Sequence, residues 1–523
     1  MALLALLITV SAPLHADAAK GTRVPPPDRS KGDFTRGEAL GLLARAKHQL
    51  RPGTNRVDAR GPVGRSARTD ITMTLRDLFR ARSALSGSDR HDADVVLSRA
   101  RVLVNGADDP VTVSTPRMQC STNFCVHYRP PAPGDTEATT PAQVQTTLDT
   151  LEQVRSHETG AMGYRQPVPD TPDVATDDNP DARFDVFLGD IAHEGMYGYC
   201  APDGDQPETH GHVAAYCVLD NDYARRQYGT APISSLRATA AHEFFHAIQF
   251  AYDVNDDLWF MEGTAVWMED EVYDAINDNY QYLAYSALRY PRSPVDYSRK
   301  YSPYGSFLFF KYAAERLGGT VVRQFWENAD GTRDRYSLQA IRAVLAARST
   351  SWPAFFATFG SWNTLPNRTY SEGASYPQPV FTSSRTLGKR ARSTGWRSVN
   401  LMHLTNSSIR VVPSPALSPR NKLLVEVNAP DPARGATALI QRRYRNGAVG
   451  HSLLPLDARG KARLSMPFNR RQLASVVIVV SNTSTAMRNC GAIRDRDGAP
   501  VYSCYGRGYY DVRQTFSVRA TVR

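Results

Sequence analysis

Several features that would assign a chain of 523 residues to a broad class are missing here. Beyond residue 19, no run reaches the ~20 apolar residues with which a helix spans a bilayer, so the sequence predicts no membrane anchor. It also has no P-loop, no dinucleotide fingerprint and no G-x-S-x-G elbow. These absences argue against nucleotide chemistry and against a serine hydrolase.

Basic residues are plentiful, but lysine is rare and accounts for only eight of the 62 lysines and arginines. The formal net charge of +10 is spread along the chain. Neither a zinc finger nor a pattern of stacking aromatic residues accompanies it, so the sequence predicts no nucleic-acid partner. The scarcity of lysine favours a bacterial source with a GC-rich genome.

Cysteine is also sparse, with six residues. None forms the C-x-x-C doublet of a structural zinc site, so we expect disulfides made in an oxidising compartment. Proximity favours three local pairs, although six cysteines allow ~15 connectivities. The expected pairs are Cys120 with Cys125, Cys200 with Cys217, and Cys490 with Cys504.

The first 19 residues, MALLALLITVSAPLHADAA, agree with such a compartment. An apolar run followed by the small residues Ala16 and Ala18 is typical of a signal peptide and its cleavage site. A short buried helix is disfavoured because the run ends at Pro13. The sequence therefore predicts a secreted, extracellular protein.

The remaining chain divides into three segments, which together predict an α+β fold. Residues 20–110 are Arg-rich and helical, with Thr35 and Glu38 as a capping box, and form either a removable pro-region or a packing element. Residues 111–385 mix strands with helices. Residues 386–523 read as strands, with an alternation of apolar and polar positions at the C-terminal end, which predicts an antiparallel β-sandwich domain.

The middle segment contains the motif HEFFH, in which His242 and His246 are four residues apart. On a helix both imidazoles project from one face and can hold one Zn²⁺ through ring nitrogens. Glu243 lies beside them and can take a proton from zinc-bound water. A chance H-E-x-x-H arises in roughly one such chain per hundred, so an ordinary buried helix is the alternative.

A third ligand is available sixteen residues later, in the stretch WFMEGTAVWMED. Glu262 lies in the first turns of a second predicted helix, and a tight connection can bring its carboxylate to the metal. A His₂Glu set leaves a fourth position for water, as in catalytic zinc sites. Glu269, two turns further on the same face, either orients a ligand histidine or is an exposed helix charge.

The two stretches together resemble the gluzincin group of zinc metallopeptidases, with a core like that of aminopeptidase N and thermolysin. The Glu-Gly-x-Ala run and the segment SPYGSFLFFKYAAERLGG are similar to the aminopeptidase N lineage. The layout also looks like that of uncharacterised secreted bacterial proteins classed as metalloproteases. At the level of motifs the resemblance covers residues 234–325. It implies a gluzincin-like catalytic domain, with a short sheet and active-site helices, within residues 111–385.

The resemblance also implies a mechanism and a substrate. Glu243 activates the water, and Tyr304 matches the lineage's tyrosine that hydrogen-bonds the oxyanion; Tyr301 is the alternative. The chain lacks the Gly-x-Met-Glu-Asn segment with which aminopeptidase N relatives hold the free amine of a substrate. The expected peptidase therefore cleaves its peptide or protein substrate either within the chain or at its end. The strand HVAAYCVLD either pairs with an extended substrate as an edge strand or is a core strand.

Two further stretches offer weaker metal ligands. DVNDDLW starts like a calcium loop but has Leu258 where an EF-hand needs glycine, so its aspartates either cap a helix or bind Ca²⁺ loosely. His210 and His212 lie near a predicted turn, where a solvated loop is the favoured interpretation.

The sequence thus predicts a secreted zinc metallopeptidase with one Zn²⁺. One alternative is an exported binding or adhesion protein with an inactive gluzincin-like core. The other is a zinc hydrolase that acts on a non-peptide ester or amide. The joint presence of three ligands, a base and a tyrosine favours an active enzyme, while the oligomeric state and the role of the C-terminal segment stay open.

Overall fold

The structure is a computed structural model that combines many helices with several sheets, which agrees with the predicted α+β class. In the part of the chain that it describes, no helix has the length and apolarity to cross a membrane. The predicted signal peptide lies outside the described residues. These are residues 34–50, 71–98, 117–131, 138–170, 182–192, 195–203, 208–298, 300–333, 335–485 and 513–523.

The middle segment is built on one five-stranded sheet. Its strands are β1 (Arg117–Cys120), β2 (Phe124–Tyr128), β3 (Phe184–Gly189), β4 (Gly198–Pro202) and β5 (Ala215–Asp220). Their order across the sheet is β1-β2-β3-β5-β4. The three central strands are parallel, whereas β1 and β4 pair antiparallel with their neighbours. The edge next to the motif helix is therefore β4, and β5, the strand within HVAAYCVLD, is a core strand.

The described part of the chain contains 13 α-helices, several of which pack against this sheet. In chain order they are α1 (Arg36–Gln49), α2 (Ile71–Ala81), α3 (Gly87–Leu97), α4 (Pro141–Arg155), α5 (Arg225–Tyr228), α6 (Pro232–Asp253), α7 (Leu258–Tyr273), α8 (Ser302–Gly305), α9 (Phe307–Leu317), α10 (Thr320–Asn328), α11 (Ser337–Ala347), α12 (Trp352–Trp362) and α13 (Pro366–Thr369). Both α6 and α7 are buried along most of their length. A helix that is apolar on nearly all faces is expected to be buried in this way.

The N-terminal helices form a layer against the middle segment. The predicted capping box is present at the start of α1, where Thr35 and Glu38 bond each other's backbone. α1 and α3 pack against α2, and α2 packs against the edge strand β4. α2 therefore lies between the outer helices and the sheet.

The C-terminal part contains two antiparallel-rich sheets. Their strands are β6 (Ser383–Leu387), β7 (Arg397–Leu401), β8 (Thr405–Pro413), β9 (Lys422–Asn428), β10 (Ala436–Tyr444), β11 (Val449–Leu453), β12 (Lys461–Pro467), β13 (Leu473–Asn482) and β14 (Gln514–Val522). One sheet has the order β11-β10-β13-β8-β6 and the other β12-β9-β14-β7. Apolar residues from both sheets share one core, as in a β-sandwich.

The five-stranded sheet of this sandwich also packs against the helical part. Leu439, Val477 and Val479 point away from the sandwich core and contact Ala357 of α12. β13 is therefore buried on both faces, which explains its continuous apolar sequence VVIVV.

Two of the three predicted disulfides lie within the described residues, and both are confirmed. Cys120 is bonded to Cys125, and Cys200 to Cys217. Each bond joins directly opposite residues of neighbouring strands, β1 with β2 and β4 with β5. The third predicted pair, Cys490 with Cys504, lies outside the described residues.

Candidate metal centre

The three predicted ligands meet where α6 and α7 pack together. His242 and His246 lie one turn apart on α6, and Glu262 lies near the start of α7. Their ligand atoms all lie within 4.8 Å of one another. The side chains are buried, with relative exposures of 6%, 0% and 1%. The short connection 254–257 makes this possible, because it folds the second helix back along the first.

The donor set fits a zinc ion. Glu262 Oε2 lies 3.5 Å from His242 Nε2 and 3.9 Å from His246 Nε2, which is too far for good hydrogen bonds. This buried oxygen accepts no hydrogen bond from the described residues, a costly state in an apolar interior. Ligands about 2 Å from one tetrahedral zinc ion are about 3.4 Å apart. The observed separations are close to that value.

Glu269 supports the first histidine. Its Oε1 lies 2.6 Å from His242 Nδ1, which directs the other ring nitrogen toward Glu262. Burial raises the pKa of Glu269 to about 8, and the neighbouring His242 opposes part of this rise. A cation on the far side of the imidazole would lower that pKa, because positive charge favours the carboxylate. Glu269 is buried, so the alternative of an exposed helix charge is wrong.

Gln249 supports the second histidine, and the sequence interpretation missed it. Its Oε1 lies 2.7 Å from His246 Nδ1. Its Nε2 donates to the Met261 carbonyl at 2.9 Å and to Thr264 Oγ1 at 3.0 Å. The amide thus ties α6 to the turn of α7 that carries Glu262. The sequence does contain a sign of this role. Gln249 is a polar residue in an otherwise apolar run, and its position three residues after His246 puts it on the same face of the helix.

The predicted base, Glu243, lies beside the ligands and makes a contact from a distant helix. Thr72 of α2 donates from Oγ1 to Glu243 Oε2 at 3.3 Å, and the same hydroxyl accepts from the Cys200 backbone N–H at 3.0 Å. Gly198 permits this close packing of β4, since a Cβ there would lie 2.7 Å from Thr239 Cγ2. The sequence around Thr72 gives no sign of this contact, because Glu243 lies 171 residues further along the chain.

Aromatic rings line the site near the first histidine. The Tyr304 ring stacks on His242, with centroids 6.0 Å apart and planes 14° apart. Tyr282 stacks on Tyr304 at 4.9 Å, and Tyr301, the alternative oxyanion donor, lies 5.8 Å from Tyr304. The structure therefore places the predicted tyrosine directly against a ligand histidine.

The weaker candidate ligands have structural partners. Asp256 Oδ1 accepts from the Ser337 backbone N–H at 3.0 Å, and Asp257 Oδ2 accepts from Ser337 Oγ at 2.6 Å. DVNDDLW thus joins the start of α7 to α11. His212 lies in a turn, with Nε2 3.5 Å from Asp330 Oδ2. Among the residues that the structure describes, none of these belongs to a group suited to a metal ion.

A second acidic cluster has metal-like spacing but already contains a cation. It consists of Asp270, Asp274 and Glu372. Lys311 Nζ lies 2.6 Å from Asp270 Oδ2 and 3.2 Å from Glu372 Oε2. This cluster is therefore an ion-pair network that joins α7 to α9.

Comparisons with known proteins add little information about the function of this site. No family model and no curated protein matches the chain. A solved structure that matches is described as a novel family GH115 4-O-methyl-alpha-glucuronidase with specificity for decorated arabinogalactans. The match has 9% sequence identity and a TM-score of 0.15, and covers 56% of this chain. The chain spans 38% of the length of that enzyme.

These comparisons correct the predicted substrate class. The matched enzyme is described as a glucuronidase, which disagrees with the prediction of a metallopeptidase that cuts peptide bonds. A TM-score of 0.15 is too low to transfer the glucuronidase activity to this chain.

Proposed function

We propose that this chain is a zinc-dependent hydrolase in which His242, His246 and Glu262 hold one Zn²⁺. The convergence of these buried ligands beside a glutamate that is not one of them supports the proposal. A structural zinc site uses four protein ligands, whereas three protein ligands leave a position for water. Within the described residues, the group that forms this site has three members.

The fold around the site supports a gluzincin-like catalytic unit. A short mixed sheet precedes α6, and α7 follows with the glutamate ligand and the Glu-Gly-x-Ala run.

Each residue of the site has a distinct proposed role. Bound zinc would supply Lewis acidity and lower the pKa of a water molecule toward ~7. Glu243 takes the proton of the attacking water and returns it to the leaving group. Tyr304 donates a hydrogen bond to the negative charge that develops on the substrate. Glu269 and Gln249 hold the two imidazoles in the orientation that the ligand set requires.

This set of groups suits the attack of water on a carbonyl carbon. The charge then collects on one oxygen, which one tyrosine hydroxyl can stabilise. Glycosidases instead use a pair of carboxylates on either side of the bond. Here Glu262 is grouped with two histidines, so Glu243 is the carboxylate to which we assign proton transfer. Non-peptide esters are therefore the first substrates to examine.

An extracellular location is part of the proposal. The two disulfides between β-strands support it, because such bonds persist in oxidising compartments.

Metal content tests the site directly. We expect about one zinc per chain by elemental mass spectrometry in the wild-type protein and in Glu243→Gln, and none in His246→Ala. Glu243→Gln should lose ~10² to 10⁴ in the hydrolysis rate of 4-nitrophenyl esters. His91→Ala, at an exposed histidine of α3, is the matched control and should keep both zinc and activity.

Three results would contradict the proposal in different ways. Zinc at the wild-type level in His246→Ala would place the metal elsewhere. Undiminished ester hydrolysis by Glu243→Gln would remove that residue from proton transfer. Cleavage of labelled casein by a protein that leaves all esters intact would reverse the correction of the substrate class.

A further inference from the structure

Helix α2 is a short element that is buried like part of a core. Nine of its 11 residues are buried. A helix on the surface of a protein normally buries one stripe and exposes the other. α2 departs from this pattern because β4 lies on one side of it, and α1 and α3 lie on the other.

Thr72 of α2 engages two groups that an active hydrolase would use. Its hydroxyl donates to Glu243 Oε2 and accepts from the backbone N–H of Cys200. Cys200 lies on β4, the strand at the edge of the sheet. An edge strand is where an extended ligand adds itself through backbone hydrogen bonds. In this structure Thr72 bonds both the carboxylate and one backbone N–H of that strand, and α2 packs against the strand.

Two arginines fix α2 to the connection between α6 and α7. Arg76 Nη1 donates to the Asp256 carbonyl at 2.8 Å and lies 3.0 Å from Met261 Sδ, in the residue before the glutamate ligand. Arg80 Nε donates to Asn255 Oδ1 at 3.0 Å. Arg76 is only 4% exposed, so its charge-assisted bonds are shielded from water.

The outer helices hold α2 in place. Ion pairs between Arg36 and Asp89 and between Lys47 and Asp92 join α1 to α3. Each pair is partly exposed and contributes little alone. Together with the packing of both helices on α2, they make the three helices one unit.

From these contacts we infer that α1–α3 form a cover over the metal site, with α2 in the place of the substrate. The inference rests on the proposed function and adds its regulation: the described arrangement is the inhibited form, and turnover requires the cover to move. The Thr72 hydroxyl competes with water for Glu243, and α2 competes with an extended ligand for β4.

The rate of zinc release to a chromogenic chelator tests the cover on the full-length, zinc-loaded protein. Arg76→Ala removes the more buried of the two anchoring arginines, and Thr72→Val removes the hydroxyl while keeping a similar shape. We expect zinc release from Arg76→Ala to be about ten- to a hundredfold faster, because the lost hydrogen bonds involve a charged group. Ester hydrolysis should rise in the same variant, whereas a purely stabilising helix would lower it.

Arg519→Ala is the matched control, since the ion pair of Arg519 with Glu426 joins β14 to β9 within the β-sandwich. It should release zinc at the wild-type rate. Circular dichroism shows whether each variant is folded, and Thr72→Val keeps the test decisive if Arg76→Ala does not fold. Zinc release at the wild-type rate from the folded variants overturns the cover alone. No zinc in any protein overturns the proposed function and the cover with it.

Discussion

Both histidines of the proposed metal site are held at the nitrogen that faces away from Glu262. His242 has Glu269 as its partner, and His246 has Gln249. A partner on Nδ1 sets the tautomer and leaves Nε2 as the metal-binding nitrogen. The Nε2 atoms of both rings are the ones that lie near Glu262 Oε2, so the site is organised for coordination by the same atom of each ring.

At this scale we expect Glu269→Gln to weaken zinc binding. The amide can still accept from His242 but carries no charge, so it supports a metal-bound imidazole less well. Loss of such a partner lowers metal affinity by ~10- to 100-fold. Competition with a chelator of known affinity measures the change.

Glu271→Gln is the control for this variant, because Glu271 lies two residues further along α7 and points to another face of the helix. Its zinc affinity should equal that of the wild type. Equal affinity in Glu269→Gln as well would mean that the carboxylate does not contribute to the metal centre.

Among the elements, α7 owes its position to one glycine. A Cβ on Gly263 would lie 2.7 Å from Phe310 Cε2 and 3.2 Å from Ser306 Cβ. Phe310 cannot move aside easily, since its ring is buried and stacks on Trp259 at 5.4 Å. The glycine of the Glu-Gly-x-Ala run thus allows α7 to pack closely against α9, immediately after Glu262.

We therefore predict that Gly263→Ala destabilises the protein by about 1–3 kcal/mol, as overpacking of a core does. It should also lower zinc affinity, because the clash pushes the adjacent ligand. Urea unfolding followed by circular dichroism measures the first effect, and chelator competition measures the second.

Gly41→Ala is the matched control in the interior of α1, where a Cβ would meet nothing within 4 Å. It should be neutral or stabilise the protein by up to about 1 kcal/mol, the difference in helix propensity. Similar behaviour of the two variants would show that the contact with Phe310 is unimportant.

Across the whole molecule, the helical part and the β-sandwich share a tight junction. Beside the apolar contacts of Ala357, Gln441 Nε2 donates to the Ser361 carbonyl at 2.9 Å, and Trp352 Nε1 donates to the Thr483 carbonyl at 2.9 Å. His403 and Asp296 form a fully buried pair at 3.0 Å across the same boundary. The two parts are thus expected to unfold as one cooperative unit.

Ala357→Arg should break this cooperativity. A buried, unpaired guanidinium costs several kcal/mol, about 3 kcal/mol or more, and the junction can avoid that cost by opening. Differential scanning calorimetry should then show two transitions in place of one. Ala346→Arg, at an exposed alanine of α11, should keep the single transition, and a single transition in Ala357→Arg would show that the junction does not couple the parts.

Much of the local structure could be predicted from the chain because it depends on short-range periods. Alternation of Phe516, Val518 and Ala520 marked a half-buried strand, and these side chains are buried in β14. Cysteines at short separation were expected to pair, and two pairs lie opposite each other on adjacent strands. The strand at the sheet edge could not be identified, because strand order depends on the topology of the whole sheet.

The sequence by itself determined that His242 and His246 share a helix face, since the helical period is a local property of the backbone. It also determined a short connection to a second helix that carries Glu262. Only the tertiary structure decided that Thr72 meets Glu243, and that α2 packs against the edge strand. Such contacts join segments far apart in the chain, and the packing of the core selects them from many alternatives that the local sequence allows equally.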